Sequence, residues 1–292
     1  MTKETDGPGY RENRTLAGIF YIIGAALTFA ILGALVRRVS SEIPNEMVVF
    51  FRNLFALVFF MPWFMRRYPL SQLRTRVFHL HLLRSLTGLG AMYCYFYTLA
   101  HMKLAEAVLL SYTSPLFVPV IAFFWLREPL YRYIRVAILL GFIGIIFVLK
   151  PGVGVFQEVS LFGILAAVLA SVAVVTIRRM SVSEPPARTV FYFTCIATVV
   201  SLIPMLFAWQ TPDIETWMLL FMIGAVAITG QILMTEGYSL APATHLIPFI
   251  YSTVVFAAII GWLVFGEVVD IWTLIGALLV CAAGVIASRR QK

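Results

Sequence analysis

Apolar runs of about twenty residues, each closed by a short polar or basic gap, recur from Leu16 to Ser288. An α-helix rises about 1.5 Å per residue, so about 20 apolar residues cross a hydrocarbon layer of about 30 Å. On that measure the pattern predicts ten spanning helices, over 16–36, 45–65, 78–99, 104–125, 133–150, 159–177, 189–208, 216–236, 243–264 and 270–288. Segments such as VAILLGFIGIIFVL, from Val136 to Leu149, carry no polar stripe. A soluble bundle needs a polar outer face, so these segments suit helices that meet lipid. The gaps are short throughout, which leaves no room for a large soluble catalytic domain.

One layout occurs twice. SPLFVPVIAFFWLREPLYRYIRVAILLGFIGIIFVLKPG (Ser114 to Gly152) and STVVFAAIIGWLVFGEVVDIWTLIGALLVCAAGVIASRR (Ser252 to Arg290) each place two apolar blocks around a glutamate, Glu128 and Glu267. Upstream, Met102 to Pro115 parallels Leu240 to Thr253, with Ala105 set against Ala243; one residue of slippage sets Tyr112 against Tyr251 and Glu128 against Glu267. Five predicted spans separate equivalent points. Five is odd, so the copies lie upside down relative to each other, the pattern of an inverted-topology repeat. The predicted fold is an all-α polytopic membrane protein of ten helices in two inverted five-helix repeats, at 16–150 and 159–288, with tails at 1–15 and 289–292.

Composition agrees and adds orientation. Of 292 residues, 61% are hydrophobic and 12% charged, where a soluble domain has about 25% charged. The +8 net charge is spread over the gaps, a membrane-orientation signal rather than a nucleic-acid surface. With the N-terminus in the cytoplasm, 16 of the 22 Lys and Arg fall in cytoplasmic segments and four (Arg37, Arg38, Lys103, Lys150) in outer ones. Arg37 and Arg38 dissent from the bias. The polar start TKETDGPGYRENR is unlike a secretory signal peptide, so the first run is expected to stay as a span and both termini to be cytoplasmic. Cys94, Cys195 and Cys281 lie inside apolar runs without ligand spacing, as small core residues do.

Two cations remain within spans, Arg52 and Arg84. An ionised side chain in hydrocarbon is costly and must face a cavity, find a partner or reach the surface. Each lies about 10 Å from its nearer membrane face, so each either snorkels, lines the bundle, or presents a planar fork to an anionic solute. Tyr93 and Tyr97 share a face of the third span at i and i+4. Tyr97 also suits the interfacial aromatic belt. Tyr112, Tyr251 and Gln231 complete the candidate solute site, and for each of them packing is the competing reading. Pro115, Pro119 and Pro248 free backbone carbonyls and kink their spans, which makes them candidate gating or hinge residues, with Glu128 and Glu267 as anchors at the ends of paired helices. There is no GxxxxGK[ST] loop, HExxH or cysteine cluster, so no cofactor, no metal and no enzyme activity are expected.

FFRNLFALVFFMPW (Phe50 to Trp63), the stretch from Leu82 to Leu130 and APATHLIPFIYSTVVFAAIIGWLVFGE (Ala241 to Glu267) resemble the drug/metabolite transporter superfamily, specifically bacterial ten-span carriers built from two EamA domains. The resemblance covers nearly the whole chain outside the tails. It implies cytoplasmic termini, the bacterial inner membrane and alternating access. It is weak on substrate, because that superfamily carries amino acids, nucleotide-like metabolites, vitamins and drugs. The expected function is secondary transport of a small polar organic metabolite with an anionic group, an amino acid or nucleoside-like compound, with or without protons. An ion channel, and a non-transporting membrane enzyme or lipid-binding scaffold, stay open as alternatives. Expected partners are that solute and membrane lipid, without nucleic acid, for a monomer or homodimer.

Overall fold

The computed structural model describes residues 8–67, 73–127, 131–149, 158–180, 183–240, 246 and 249–288, and all regular structure among them is helical. In chain order the helices are α1 (Pro8–Val39), α2 (Asn45–Arg67), α3 (Phe78–His101), α4 (Leu104–Ser111), α5 (Ser114–Leu126), α6 (Arg132–Leu149), α7 (Val159–Met180), α8 (Pro186–Phe207), α9 (Ile214–Leu240), α10 (Ser252–Phe265) and α11 (Ile271–Ser288). Seven stretches among the described residues are long and apolar enough to cross a membrane, and α10 and Ile271–Ile286 of α11 are shorter apolar helices. The seven do not include α3, whose length matches theirs but which carries His79, His81, Arg84 and three tyrosines. The protein is an all-α polytopic membrane protein.

Sequence chemistry sets the helix starts. Pro44, Pro185 and Pro115 stand at or just before helix starts, where a missing N–H costs nothing. Asp213 and Asp270 cap α9 and α11, each accepting from the amide three residues on, Thr216 at 2.8 Å and Thr273 at 2.9 Å.

The bundle buries small residues and exposes large ones. On α7, Gly163, Ala166, Ala167 and Ser171 are buried while Leu161, Phe162, Leu165 and Val174 face outward. On α6, Ala137, Gly141 and Gly144 face in and Leu139, Phe142 and Ile146 face out. Lipid is as apolar as leucine, so close backbone approach rather than hydrophobic burial holds such helices together. At the α6–α11 crossing a β-carbon on Gly276 would lie 2.7 Å from the carbonyl oxygen of Gly144 and 2.6 Å from Cγ2 of Val148.

The packing has a pattern. α1 packs on α9 and α10, and α2 on α9; α7 packs on α3, α4 and α5, and α8 on α3. Exchanging α1, α2, α3, α4–α5 and α6 with α7, α8, α9, α10 and α11 converts the first set of contacts into the second. It leaves α2·α8, α4·α10 and α6·α11 unchanged.

The fourth predicted span is not one helix but two. The chain turns at Tyr112 and Thr113 between α4 and α5, where Thr113 hydrogen-bonds back to Leu110 through both its amide and its hydroxyl. The freed turn follows from Pro115, which cannot donate to the preceding turn. A similar turn at Tyr251 precedes α10. Past these turns α5 and α10 end alike. Arg127 (φ 56°, ψ 34°) and Gly266 (φ 65°, ψ 21°) each take the left-handed conformation. Glycine adopts it freely and arginine at a cost.

Candidate functional site

Ion pairs tie the bundle at both ends. At the end where α1 finishes, Arg37 Nη2 lies 2.5 Å from Oε1 of Glu267, and Arg37 also donates to the carbonyl of Met102. The other oxygen of Glu267 accepts the Leu104 amide at the start of α4, at 2.8 Å. A carboxylate there meets the partial positive charge of a helix N-terminus. Lys103 Nζ donates to the Val268 carbonyl at 2.9 Å, and Arg38 pairs with Glu42 and reaches Glu215. At the other end Glu184 is buried between α7 and α8. It accepts from Arg188 at 2.9 Å and Thr75 at 3.0 Å, and sits 3.1 Å from His81 Nε2. Burial alone would raise the Glu184 carboxyl, but the hydrogen bonds from Arg188, His81 and Thr75 more than offset it and hold it below the ordinary glutamate value. Tyr192 stacks on His81 at 4.5 Å.

Between these ends the predicted site residues fall into two groups. The first gathers at the helix breaks. The rings of Tyr112 and Tyr251 lie 6.4 Å apart, bringing α4 and α10 together. The Tyr251 hydroxyl is buried against Gly284 and has no hydrogen-bond partner among the described residues. The second group is cationic and lies between α2, α3 and α8. Arg84 lays its guanidinium 3.6 Å over the ring of Phe193 on α8, a cation–π contact. Gly88 makes the room, since a β-carbon there would come within 2.9 Å of Arg84 Nη1. Arg52 donates to its neighbour Asn53 at 3.1 Å, and fully buried Asn53 donates on to the Val49 carbonyl. Tyr93 lies one turn and a half beyond Gly88 on α3. Its carbonyl accepts from Asn45, and its buried hydroxyl has no partner among the described residues.

The remaining candidates lie elsewhere. Tyr97 packs on Phe162 of α7 and on His101, within the α3–α7 interface. Gln231 is half-buried on α9, next to Gly230, which packs on Phe29 of α1. Pro115 opens α5 and Pro119 lies inside it. Glu128 and Pro248 lie outside the described residues. Sequence reasoning did not single out Asn53, Phe193, Gly88 or Glu184 with its partners. A polar Asn beside Arg52 in an apolar run was the available signal for the first of these.

Apolar helices that enclose buried cations and phenols define a polytopic membrane protein with a polar interior. The model of the EamA-like transporter family matches twice, over residues 16–150 and 158–289, and the chain belongs to this family. It is a transporter and not an enzyme. It is 32% identical to the pseudopaline exporter CntI of Pseudomonas aeruginosa, over 94% of this chain and 97% of that protein. It is 28% identical to the riboflavin transporter of Vibrio cholerae, over 95% of this chain and 93% of that one. A crystal structure with 17% sequence identity superposes with a TM-score of 0.64, covering 94% of this chain and 96% of the other, and so shares the fold.

Proposed function

We propose that this protein is a secondary transporter of the bacterial inner membrane that carries a small polar organic metabolite by alternating access. It has ten spans in two inverted repeats, and both termini are cytoplasmic. The observation that carries the reading is the exchange symmetry of the packing: the Tyr112 and Tyr251 turns meet, and the helices that follow them run to opposite ends of the bundle. α5 leads toward the Glu184 end, where Arg179 of α7 lies over Trp125, and α10 leads to Glu267 beside Arg37. Two similar halves in opposite orientation have two near-equivalent states, one open to each side. Discontinuous helices place freed backbone groups near the midplane, where such carriers hold their solutes.

In this reading Arg52, Arg84, Tyr93, Tyr112 and Tyr251 line the solute path, with Tyr97 and Gln231 at its margins. The Arg37–Glu267 pair and the Glu184 cluster close its two ends, and Pro115, Pro119, Pro248, Glu128 and Glu267 serve the bending segments. The similar proteins from P. aeruginosa and V. cholerae are named for small organic solutes that differ from each other, which supports the class and leaves the particular solute to experiment. The test is a broad metabolite flux screen with purified protein in sealed vesicles, with and without a pH gradient. Flux of an organic solute without ATP supports the proposal. Flux only with ATP, or none for any solute, overturns it.

A further inference from the structure

We infer that the Arg52–Arg84 pair forms a site for a solute carrying two negative charges. This rests on the transport reading above and narrows its solute class. Among the described residues no acidic side chain lies in the middle of a helix; each stands in a link or in the first or last two turns of a helix. Where a carboxylate is in reach, the arginines of this protein take it: Arg37 pairs with Glu267, Arg38 with Glu42, and Arg188 with Glu184. Arg52 and Arg84 have no ion pair among the described residues. Arg52 bonds only the neutral Asn53, and its Nε is buried without a partner. Arg84 has one face covered by Phe193, while Nε and Nη1 on its edge are buried without partners.

Arg52 and Arg84 stand on α2 and α3, which pack on each other, and the Arg52 charge bears on Arg84. Arginine does not shed its proton to relieve this. The interior therefore holds two like charges and unused donor groups, and Gly88 leaves the room that the Arg84 guanidinium occupies. A guanidinium edge matches a carboxylate or phosphate oxygen pair. A monoanion leaves one charge unbalanced; a dicarboxylate, or a phosphate group at its second ionisation, balances both.

Binding is tested on the full chain purified in an uncharged detergent, so that no lipid phosphate supplies the anion. Thermal unfolding is followed with succinate, inorganic phosphate and butyrate as sodium salts at matched ionic strength. Succinate or phosphate should bind at least tenfold more tightly than butyrate, and the two dianion arms separate carboxylate from phosphate chemistry. Arg52→Gln and Arg84→Gln should each weaken dianion binding at least tenfold and abolish the preference over butyrate. Each variant should also unfold at the same or a higher temperature than the parent without ligand, because an unbalanced charge is gone; an arginine serving a structural ion pair would give a fall instead. Equal binding of butyrate and both dianions, no binding of either dianion, or a preference that survives in both variants overturns the inference. Vesicle flux keeps the two readings apart. Flux of a neutral or cationic solute with no dianion binding removes this inference and leaves transport standing; dianion binding with no flux of any solute does the reverse.

Discussion

Replacing Gly276 with alanine tests the packing of α6 against α11. The added β-carbon would sit 2.6 Å from Val148 Cγ2, 2.7 Å from the Gly144 carbonyl oxygen and 3.2 Å from the Val148 amide nitrogen. Comfortable carbon contacts are about 3.5–4.0 Å, so α6 and α11 must part by roughly 1 Å. Two of the three neighbours are backbone atoms and cannot rotate away. Overpacking costs about 1–3 kcal/mol, and this site belongs at the upper end. At about 2–4 °C per kcal/mol for chains somewhat shorter than this one, the unfolding midpoint should fall by roughly 4–10 °C. Gly24→Ala is the control. Its β-carbon would meet only Leu233 Cδ1, at an ordinary 3.7 Å, and replacing a helical glycine recovers about 0.5–1 kcal/mol. Its midpoint should hold or rise. Cys94, Cys195 and Cys281 are free and half-buried within the bundle, so a thiol-reactive fluorescent dye reports unfolding of both variants directly. A Gly276→Ala midpoint within 1 °C of the parent, or an equal fall in Gly24→Ala, would refute the reasoning.

Further outcomes follow from the ends of the bundle. Glu267→Gln removes the charge that faces Arg37 in a largely buried pair and weakens the cap on Leu104; with partial solvent access discounted, the loss is about 1–3 kcal/mol, read by the same dye assay. Glu184 is held below its ordinary value by its partners, so its stabilising effect is present above the unfolded-state value and lost as pH falls through the folded one. The gap in unfolding midpoint between parent and Glu184→Gln should therefore be largest at neutral pH and shrink from about pH 5 downward; a gap that widens in acid contradicts the network. Gly88→Ala should push the Arg84 guanidinium off Phe193 and weaken solute binding several-fold while folded yield stays near that of the parent. Reporter tags at Val153 and at the C-terminus should read outer and cytoplasmic; tags on the same side count against both the orientation and the inverted halves.

Apolar runs made the helices legible, because lipid imposes one length on every crossing. Pro115 hinted at the break between α4 and α5, yet the run through it is continuously apolar and reads as a single span. The depth of Arg52 and Arg84 was legible from their distance to the run ends. Their surroundings were not: Phe193 comes from another helix, and one phenylalanine among 24 carries no mark of its place. Periodicity put Tyr93 and Tyr97 on one face, but a helix face is broad, and the upper part of this one meets Phe162 while the lower part does not. The Glu184 cluster was invisible because its members are ordinary polar residues of two short links and two helix starts. The basic residues that dissented from the charge bias had a local explanation that only distance in space reveals: Arg37 and Arg38 face Glu267, Glu42 and Glu215.

The Arg37–Glu267 pair also has a history within each molecule. Arg37 is synthesised about 230 residues before its partner, which at about 5–20 residues per second means roughly 10–50 s on the ribosome without it. Arg38 waits only four residues for Glu42. Through most of translation the first helix therefore carries one bare guanidinium, and the start of α4 lacks the carboxylate that will cap it. Until the link before the last helix emerges, Arg37 has the Met102 carbonyl but no carboxylate. A chain cut short between these two positions keeps a cation without its carboxylate at the end of its first helix.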